Sequence, residues 1–288
     1  MSVLVNKKSK ILVQGITGAQ ASFHIQRALK YGTNIVAGVA PNKNETSYLG
    51  LPLFGTVKEA KEKTGANASI IFVPANYAKS AILEAIQAQL ELVVVITSGI
   101  PVRDMMEIKH ELLNSSTVLI GPNTPGIITP DEAYMGIFPD NIHISGNIGI
   151  VSRSSTLTYE VVLEINKIGF GESTVVGLGD DFIIGTSFVE IIKKFNSDKK
   201  TKAIVLIGGI GGNYEMEAAD FYAKLTKKKP TIALILDDPT PLSDNKGLAP
   251  EIICRGIISA ADKKRILQEA GMIVVDNINA LKSELLKL

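Results

Sequence analysis

The sequence predicts an α/β protein with two domains built on parallel sheets, and three observations lead to this class. Short runs rich in β-branched residues alternate with helical patterns from residue 11 onward. The alternation stops in a passage rich in proline and glycine between residues 121 and 146, and then resumes. The chain has 288 residues, of which 45% are hydrophobic, which is enough to bury a sizeable core. Strands that alternate with helices form parallel sheets covered on both faces.

Each element is assigned from these patterns in turn. In the N-terminal half we predict strands over residues 11–13, 35–39, 69–73, 93–96 and 118–120, separated by helical segments such as 77–90. In the C-terminal half we predict strands over 148–151, 174–176, 204–207, 232–236 and 272–275, with helices over 261–270 and at the C-terminus. The prediction is therefore a domain over 1–125, an inter-domain linker over 126–146 and a domain over 147–288.

The composition narrows the class of ligand. Thirty basic and 29 acidic residues give a formal net charge of +1, which argues against a nucleic acid or a membrane surface as the main partner. A single cysteine, Cys254, excludes an intrachain disulfide framework. The N-terminal residues have neither a secretory nor a transit pattern, and no apolar run reaches about 18 residues. We expect a soluble cytoplasmic protein with a small ligand.

The first strand-to-helix turn is the first candidate site, because ligands of α/β sheets bind beyond the carboxyl ends of the strands. It reads Gly15-Ile16-Thr17-Gly18-Ala19-Gln20-Ala21-Ser22. The two glycines allow the backbone to approach an anion, and the polar side chains lie beside free N–H groups at a helix start. The turn differs from the G-x-G-x-x-G dinucleotide pattern, so a phosphate cradle and a plain tight turn both stay open.

The second strand bears on which phosphate this turn would hold. Dinucleotide-binding proteins usually carry an acidic residue there that accepts from the ribose, but here Val39-Ala40-Pro41 leads to Lys43. A lysine suits the 3′-phosphate of coenzyme A or the 2′-phosphate of NADP better than the free ribose of NAD. A solvated loop lysine is the alternative.

Two further loops follow predicted strands, at Val73-Pro74-Ala75 and at Gly121-Pro122-Asn123. Their prolines restrict the turn, and Asn123 offers both a donor and an acceptor. Each loop either contacts a pantetheine arm or only turns the chain.

These motifs resemble one family, the α subunits of succinyl-CoA synthetase, the succinate–CoA ligase that forms a nucleoside diphosphate. The resemblance covers nearly the whole chain. It is carried by the turn over residues 15–20 and by the segments 39–43, 49–54, 71–75, 121–123, 149–154 and 156–160.

The resemblance implies an N-terminal Rossmann-like CoA-binding domain, a C-terminal flavodoxin-like ligase domain and a place in the tricarboxylic acid cycle. It also implies a heterodimer with a β subunit that holds Mg²⁺ and ATP or GTP, and a small carboxylic acid as substrate. The implied CoA-binding positions are Thr17, Gly18, Ala19, Gln20, Lys43, Val73, Pro74, Ile96, Thr97, Ser98 and Asn123. Tyr159 falls on a substrate-facing position, and Arg153, Ser154 and Ser155 form a phosphate loop before a helix.

The chain departs from the family at the nucleophile. The family reads Gly-His-Ala-Gly around its phosphorylated histidine, whereas this chain has Leu248 at that position. The glutamate that accompanies the phosphohistidine is replaced by Gly209. We therefore assign no catalytic residue.

Smaller departures lie at both candidate sites. Ser155 replaces a glycine of the phosphate loop, and Asp180 adds a carboxylate that would disfavour phosphate. At the CoA positions, Ser98 stands where glutamate is usual and Thr124 where cysteine is common.

No other residue is expected to replace the nucleophile. The histidines are His24, His110 and His143, none of which we expect to carry phosphate. An aspartyl phosphate is chemically allowed in the segment 237–244, but the pattern Asp237-Asp238-Pro239 favours a turn. Cys254 lies in an apolar stretch and is expected in the core.

Three functions stay open. The favoured one is a CoA-binding paralogue that has lost the phosphohistidine relay. The alternatives are an active acid–CoA ligase α subunit with a changed mechanism and an NADP-binding enzyme.

Overall fold

The computed structural model describes residues 3–41, 44–209, 212–235 and 259–288. These residues form two compact units. The first unit comprises the residues up to 141 together with 177–186, and the second comprises 142–176 and the residues from 187 onward. No helix within the described ranges is long and apolar enough to cross a membrane.

The first unit contains a seven-stranded sheet in the order β3-β4-β2-β1-β5-β6-β7, in which every pair is parallel except β3 with β4. An antiparallel hairpin, β8–β9, belongs to the same unit. The strands are β1 (Ile11–Gln14), β2 (Ile35–Val39), β3 (Ser47–Tyr48), β4 (Leu51–Phe54), β5 (Ala68–Ile71), β6 (Leu92–Val95), β7 (Val118–Ile120), β8 (Gly126–Thr129) and β9 (Ala133–Gly136). The helices are α1 (Ala19–Tyr31), α2 (Val57–Thr64), α3 (Ala75–Gln87) and α4 (Val102–Leu112).

The central strands of this sheet are buried along their whole length, which is what a parallel sheet covered on both faces requires. Leu12, Ile82 and Val93 belong to one apolar cluster and are fully buried. Helix ends follow local signals: Thr56 caps α2 by accepting from the Glu59 N–H, and Gly65 ends it in the left-handed region. Because these strands are parallel, their carboxyl ends lie together at one edge of the sheet.

The second unit has its strands in the order β14-β13-β12-β10-β11, and β10, β12, β13 and β14 pair in parallel. The strands are β10 (Ser145–Ser152), β11 (Glu172–Gly177), β12 (Ala203–Ile207), β13 (Thr231–Leu234) and β14 (Ile273–Val275). The helices are α5 (Ser155–Lys167), α6 (Phe188–Ser197), α7 (Tyr214–Ala223), α8 (Ala260–Glu269) and α9 (Ile278–Leu285).

The predicted α/β class with parallel sheets is confirmed. Two elements were not predicted: the edge hairpin β3–β4, whose strands are short, and the hairpin β8–β9, which lies inside the passage predicted as a linker over 126–146. Proline favours tight turns as well as linkers, and Pro130 lies in the turn between β8 and β9. The domain limits themselves stay a prediction.

Candidate functional site

A cavity of about 720 Å³ opens at the carboxyl ends of β1, β2 and β5 in the first unit. Its walls are mostly apolar, with a few polar groups among them. The lining residues are Gln14, Gly15, Thr17, Val39, Ala40, Pro41, Val73, Pro74, Tyr77, Ser80, Ala81 and Glu84. A cavity of this size and composition, beyond the ends of parallel strands, is the usual setting of a small-molecule site.

Gly15 begins the turn at the mouth of this cavity. Its φ is +83°, and a Cβ on this residue would lie 3.0 Å from Val73 Cγ1 and 3.2 Å from the Val73 nitrogen. Only glycine fits both the backbone conformation and the space. The turn therefore needs this residue in order to pass close to β5.

Helix α1 starts directly after the turn without a side-chain cap. Gly18 is the N-cap residue, and no side chain accepts from the first turn of the helix. The first N–H groups of a helix have no partner within the helix, and the helix dipole places partial positive charge there. Ala19 and Gln20 are exposed. This end of α1 can accept an anion such as a phosphate.

A buried amide fixes the last residue of β1. Gln14 is almost fully buried, its Nε2 donates to the Ala81 carbonyl at 2.8 Å, and its Oε1 accepts from the Ser69 hydroxyl at 2.8 Å. Both ends of the amide are satisfied, so the side chain has one orientation. The link ties β1 to β5 and α3 immediately behind the cavity.

The predicted CoA positions that follow β5, β6 and β7 are connected to one another. The Thr97 hydroxyl donates to the Val73 carbonyl at 2.5 Å, and the Asn123 N–H donates to the Thr97 carbonyl at 2.9 Å. Asn123 adopts a positive φ of 56°, which asparagine tolerates better than most residues. These three positions thus form one hydrogen-bonded row along the edge of the sheet.

The other predicted CoA positions are distributed around this edge. Thr17, Val73 and Pro74 line the cavity itself. Ile96 is half-buried and Ser98 is exposed beyond the end of β6. Lys43 lies outside the described residues.

Tyr77 and Ser80 are among the cavity residues that the sequence analysis missed. Both lie on the first turns of α3, and Tyr77 is 60% exposed although it is a large aromatic residue. The helical pattern places Tyr77 on the outer face of α3 and gives no reason to expect it at a ligand site. An exposed aromatic residue shortly after a strand is the signal that could have identified it.

In the second unit, the predicted phosphate loop is a network of short-range hydrogen bonds at the start of α5. The Ser154 N–H donates to the Ser152 hydroxyl at 2.9 Å, and the Ser154 hydroxyl accepts from the Leu157 N–H at 3.3 Å. Ser155 is the first residue of the helix. The cap occupies one helical N–H, which leaves fewer of them for an anion than at α1.

Arg153 is the first residue of this loop and is 5% exposed. Its guanidinium lies over the ring of Tyr214 at 5.2 Å from the centroid, a cation–π contact with the first residue of α7. A Cβ built on Gly209 would lie 3.3 Å from Arg153 Cβ and 3.5 Å from its Nη1. A side chain at position 209 would therefore emerge directly beside this arginine.

A buried ion pair holds the peptide groups of Gly209 in place. The Gly209 N–H donates to Glu215 Oε1 at 2.9 Å, and Lys263 Nζ donates to the Gly209 carbonyl at 3.1 Å. Lys263 Nζ also lies 2.8 Å from Glu215 Oε2, and the two side chains are 2% and 0% exposed. The pair fixes the turn after β12 through backbone contacts that do not depend on a side chain at 209.

Tyr159 lies half-buried on α5, and burial raises the pKa of its hydroxyl above the usual value. Leu248, which is predicted to stand at the family's nucleophile position, lies outside the described residues, as do Cys254 and the aspartates between 237 and 244.

The three histidines lie in different surroundings. His24 stacks on Phe72 with ring centroids 6.2 Å apart, and burial together with the charge of Arg27 lowers its pKa. His110 is exposed on α4. His143 is buried with its Nδ1 3.3 Å from Glu172 Oε2.

No group of three or more metal-ligating side chains occurs within the ranges that the structure describes.

Two family models match the chain. One is described as a CoA binding domain and matches residues 6–99, and the other is described as CoA-ligase and matches residues 151–281. The cavity and the turn at Gly15 fall inside the first match, and Arg153 and Gly209 fall inside the second.

Curated proteins resemble the chain over nearly all of its length. The ADP-forming succinate–CoA ligase subunit alpha of Aquifex aeolicus is 48% identical over 279 residues, which are 96% of this chain and 91% of that protein. Subunit alpha 2 of the same enzyme in Archaeoglobus fulgidus is 46% identical over 271 residues, with 94% of each chain covered.

Among solved structures, ATP citrate lyase from Methanothrix soehngenii, in complex with citrate and coenzyme A, has the same fold with a TM-score of 0.84. The identity is 21%, with 99% of this chain and 51% of that chain covered, so this chain spans about half the length of that one.

Proposed function

The chain belongs to the family of succinate–CoA ligase α subunits, and we propose that it binds coenzyme A through its first unit but carries no phosphorylated histidine. The sequence is the basis for proposing that no histidine is phosphorylated. Leu248 stands where the resemblance puts the nucleophile, and no histidine follows His143.

The residues at the first site fit coenzyme A. The turn at Gly15 and the uncapped start of α1 would hold one of its phosphates, because an anion there satisfies helical N–H groups and faces the positive end of the dipole. The cavity of about 720 Å³ offers apolar walls and the exposed Tyr77 ring for the rest of the ligand. Coenzyme A supplies the thiol that is acylated in the family's reaction.

The chemistry of the nucleophile is the reason for proposing that the phosphohistidine relay is absent. The family transfers phosphate through an imidazole nitrogen, and leucine has no lone pair to attack phosphorus. Loss of a covalent nucleophile lowers a rate by on the order of 10³- to 10⁶-fold. Gly209 adds to the loss, because the carboxylate that accompanies the phosphohistidine in the family is missing as well.

The proposal includes a β subunit of the succinyl-CoA synthetase type as partner in a heterodimer. Mg²⁺ and ATP or GTP would be held by that subunit. Tyr159, protonated at neutral pH, would donate a hydrogen bond to a small carboxylic acid. In this arrangement the chain is a CoA-binding or regulatory subunit rather than a phosphate carrier.

An acid–CoA ligase with a changed mechanism is the second candidate. It is favoured by the buried Glu215–Lys263 pair and by Arg153, which keep a rigid, positively charged turn beside Gly209. Such an enzyme would form an acyl-CoA with nucleotide turnover and would not depend on Leu248.

Two measurements test the proposal. Calorimetric titration of the chain with coenzyme A, with NADPH as the control for a dinucleotide site, should show saturable binding of coenzyme A alone at micromolar concentration. Incubation with a β subunit and γ-³²P-labelled ATP or GTP should leave the chain unlabelled and form no succinyl-CoA. Covalent label on the chain contradicts the loss of the relay, and acyl-CoA formation without label supports the second candidate. Absence of CoA binding contradicts the proposal as a whole.

A further inference from the structure

Tyr48 connects the edge hairpin of the first sheet to the turn that precedes α1. Its hydroxyl lies 2.8 Å from the hydroxyl of Ser22, which is in the first turn of the helix. Tyr48 is on β3, the outermost strand, and is half-buried. The contact joins residues 26 positions apart in the sequence.

The direction of this hydrogen bond follows from counting protons. The Ser22 hydroxyl donates to the Gly18 carbonyl at 2.9 Å and lies 3.2 Å from the Ile16 carbonyl. A serine hydroxyl has one proton and two acceptor lone pairs, so its proton is committed to these carbonyls. The Tyr48 hydroxyl is therefore the donor, and the Ser22 hydroxyl links it to the backbone carbonyls of the turn.

Both β2 and β3 therefore contact this turn. The Gly15 N–H donates to the carbonyl of Val39, the last residue of β2, at 3.2 Å. Tyr48 on β3 contacts Ser22.

We propose that Tyr48 is a positioning residue of the coenzyme A site, an inference that rests on the proposed CoA binding. Its hydroxyl holds the hairpin against the turn and keeps the N–H groups at the start of α1 aimed at the phosphate. A turn already in its bound conformation loses less entropy when the ligand binds, so the restraint raises affinity without touching the ligand.

The test is a titration of the full chain with coenzyme A, comparing wild type, Tyr48→Phe and Ser22→Ala. Tyr48→Phe removes one neutral hydrogen bond and keeps the ring, so CoA binding should weaken by about two- to tenfold. Tyr222→Phe is the matched control, because it also removes a hydroxyl that donates to a backbone carbonyl at 2.9 Å, that of Lys229 in the second unit. Its Kd for coenzyme A should equal that of wild type.

Three further comparisons separate positioning from a general loss of stability. The double variant Tyr48→Phe/Ser22→Ala should bind no more weakly than Ser22→Ala alone, because both substitutions break the same link. Ser22→Thr keeps the hydroxyl, so its Kd for coenzyme A should stay within about twofold of the wild-type value. Adenosine 3′,5′-bisphosphate keeps phosphates but lacks the pantetheine arm. Its affinity should fall in Tyr48→Phe by the same factor as the affinity for coenzyme A.

The outcomes distinguish this inference from the proposed function. If wild type binds coenzyme A and Tyr48→Phe binds it equally well, the positioning role is wrong and CoA binding stands. Additive effects of the two substitutions, or an equal loss in Tyr222→Phe, also contradict it. If wild type does not bind coenzyme A, the proposed function is wrong and this role falls with it.

Discussion

Replacing Gly15 with alanine tests whether the turn before α1 is the anion site. With φ at +83°, an L-residue here is strained by about 1–2 kcal/mol. The new Cβ would also meet Val73, at 3.0 Å from its Cγ1 and 3.2 Å from its backbone nitrogen. The side chain of Val73 can rotate, but its backbone closely follows β5 and its carbonyl accepts from the Thr97 hydroxyl, so the turn has to move.

That movement sets the expected size of the effect on binding. A hydrogen bond to a charged group is worth about 1.5–3 kcal/mol, so misplacing one phosphate contact should weaken CoA binding by about tenfold or more. Gly169→Ala is the matched control, because its φ is +88° and no atom lies within 4 Å of its added Cβ. It carries the same backbone strain without the collision.

Calorimetric titration and thermal unfolding are the assays. Both variants should melt lower than wild type by about 2–8 °C, the shift expected for 1–2 kcal/mol in a domain of this size. Only Gly15→Ala should lose CoA affinity. Wild-type affinity in Gly15→Ala would refute the assignment of the turn, and an equal loss in Gly169→Ala would show that reduced stability alone explains the change.

Three other predictions concern the second unit. Leu248→His alone should leave the chain without phosphate label in the presence of a β subunit and nucleotide, whereas Leu248→His with Gly209→Glu should gain label, because the added carboxylate emerges beside Arg153 rather than against backbone. Lys263→Met should lower the free energy of unfolding by about 3–5 kcal/mol in urea titrations, because it leaves the buried Glu215 carboxylate without its partner. Burial raises the pKa of Glu172 above 4.5, so its contribution to stability is complete below about pH 4.5 and is lost as pH rises through the folded-state value. The stability of Glu172→Gln relative to wild type should therefore rise over that range in urea titrations at successive pH values.

Each of these predictions has a contradicting result. Label on Leu248→His alone would mean that Gly209 needs no carboxylate. A loss below about 1 kcal/mol in Lys263→Met, the range of an exposed pair, would mean that the pair is effectively solvated. A difference between Glu172→Gln and wild type that stays constant with pH would mean that the pKa of Glu172 is not raised in the folded state.

The features that depend on local pattern could be predicted from the sequence. The alternation of strands and helices predicted the α/β class. Each segment shows its type in its own hydrophobic pattern, because a strand of a parallel sheet is apolar on both faces and a helix has a helical period. The turn from Gly15 to Gln20 was predicted for a similar reason, since glycine between a strand and a helix indicates a tight turn. The identity of Leu248 is also a property of sequence alone, and the proposal about catalysis rests on it.

Contacts between residues that are far apart in the chain could not be predicted from the sequence and are seen in the fold. Lys263 has the pattern of an exposed helical lysine, yet it is buried against the carbonyl of Gly209, 54 positions away. Tyr48 belongs to a two-residue strand too short to give a periodic signal, and its hydroxyl reaches Ser22 across the edge of the sheet. Local propensity cannot encode these contacts, because each partner satisfies its hydrogen bonds only after the sheet order has brought the two segments together.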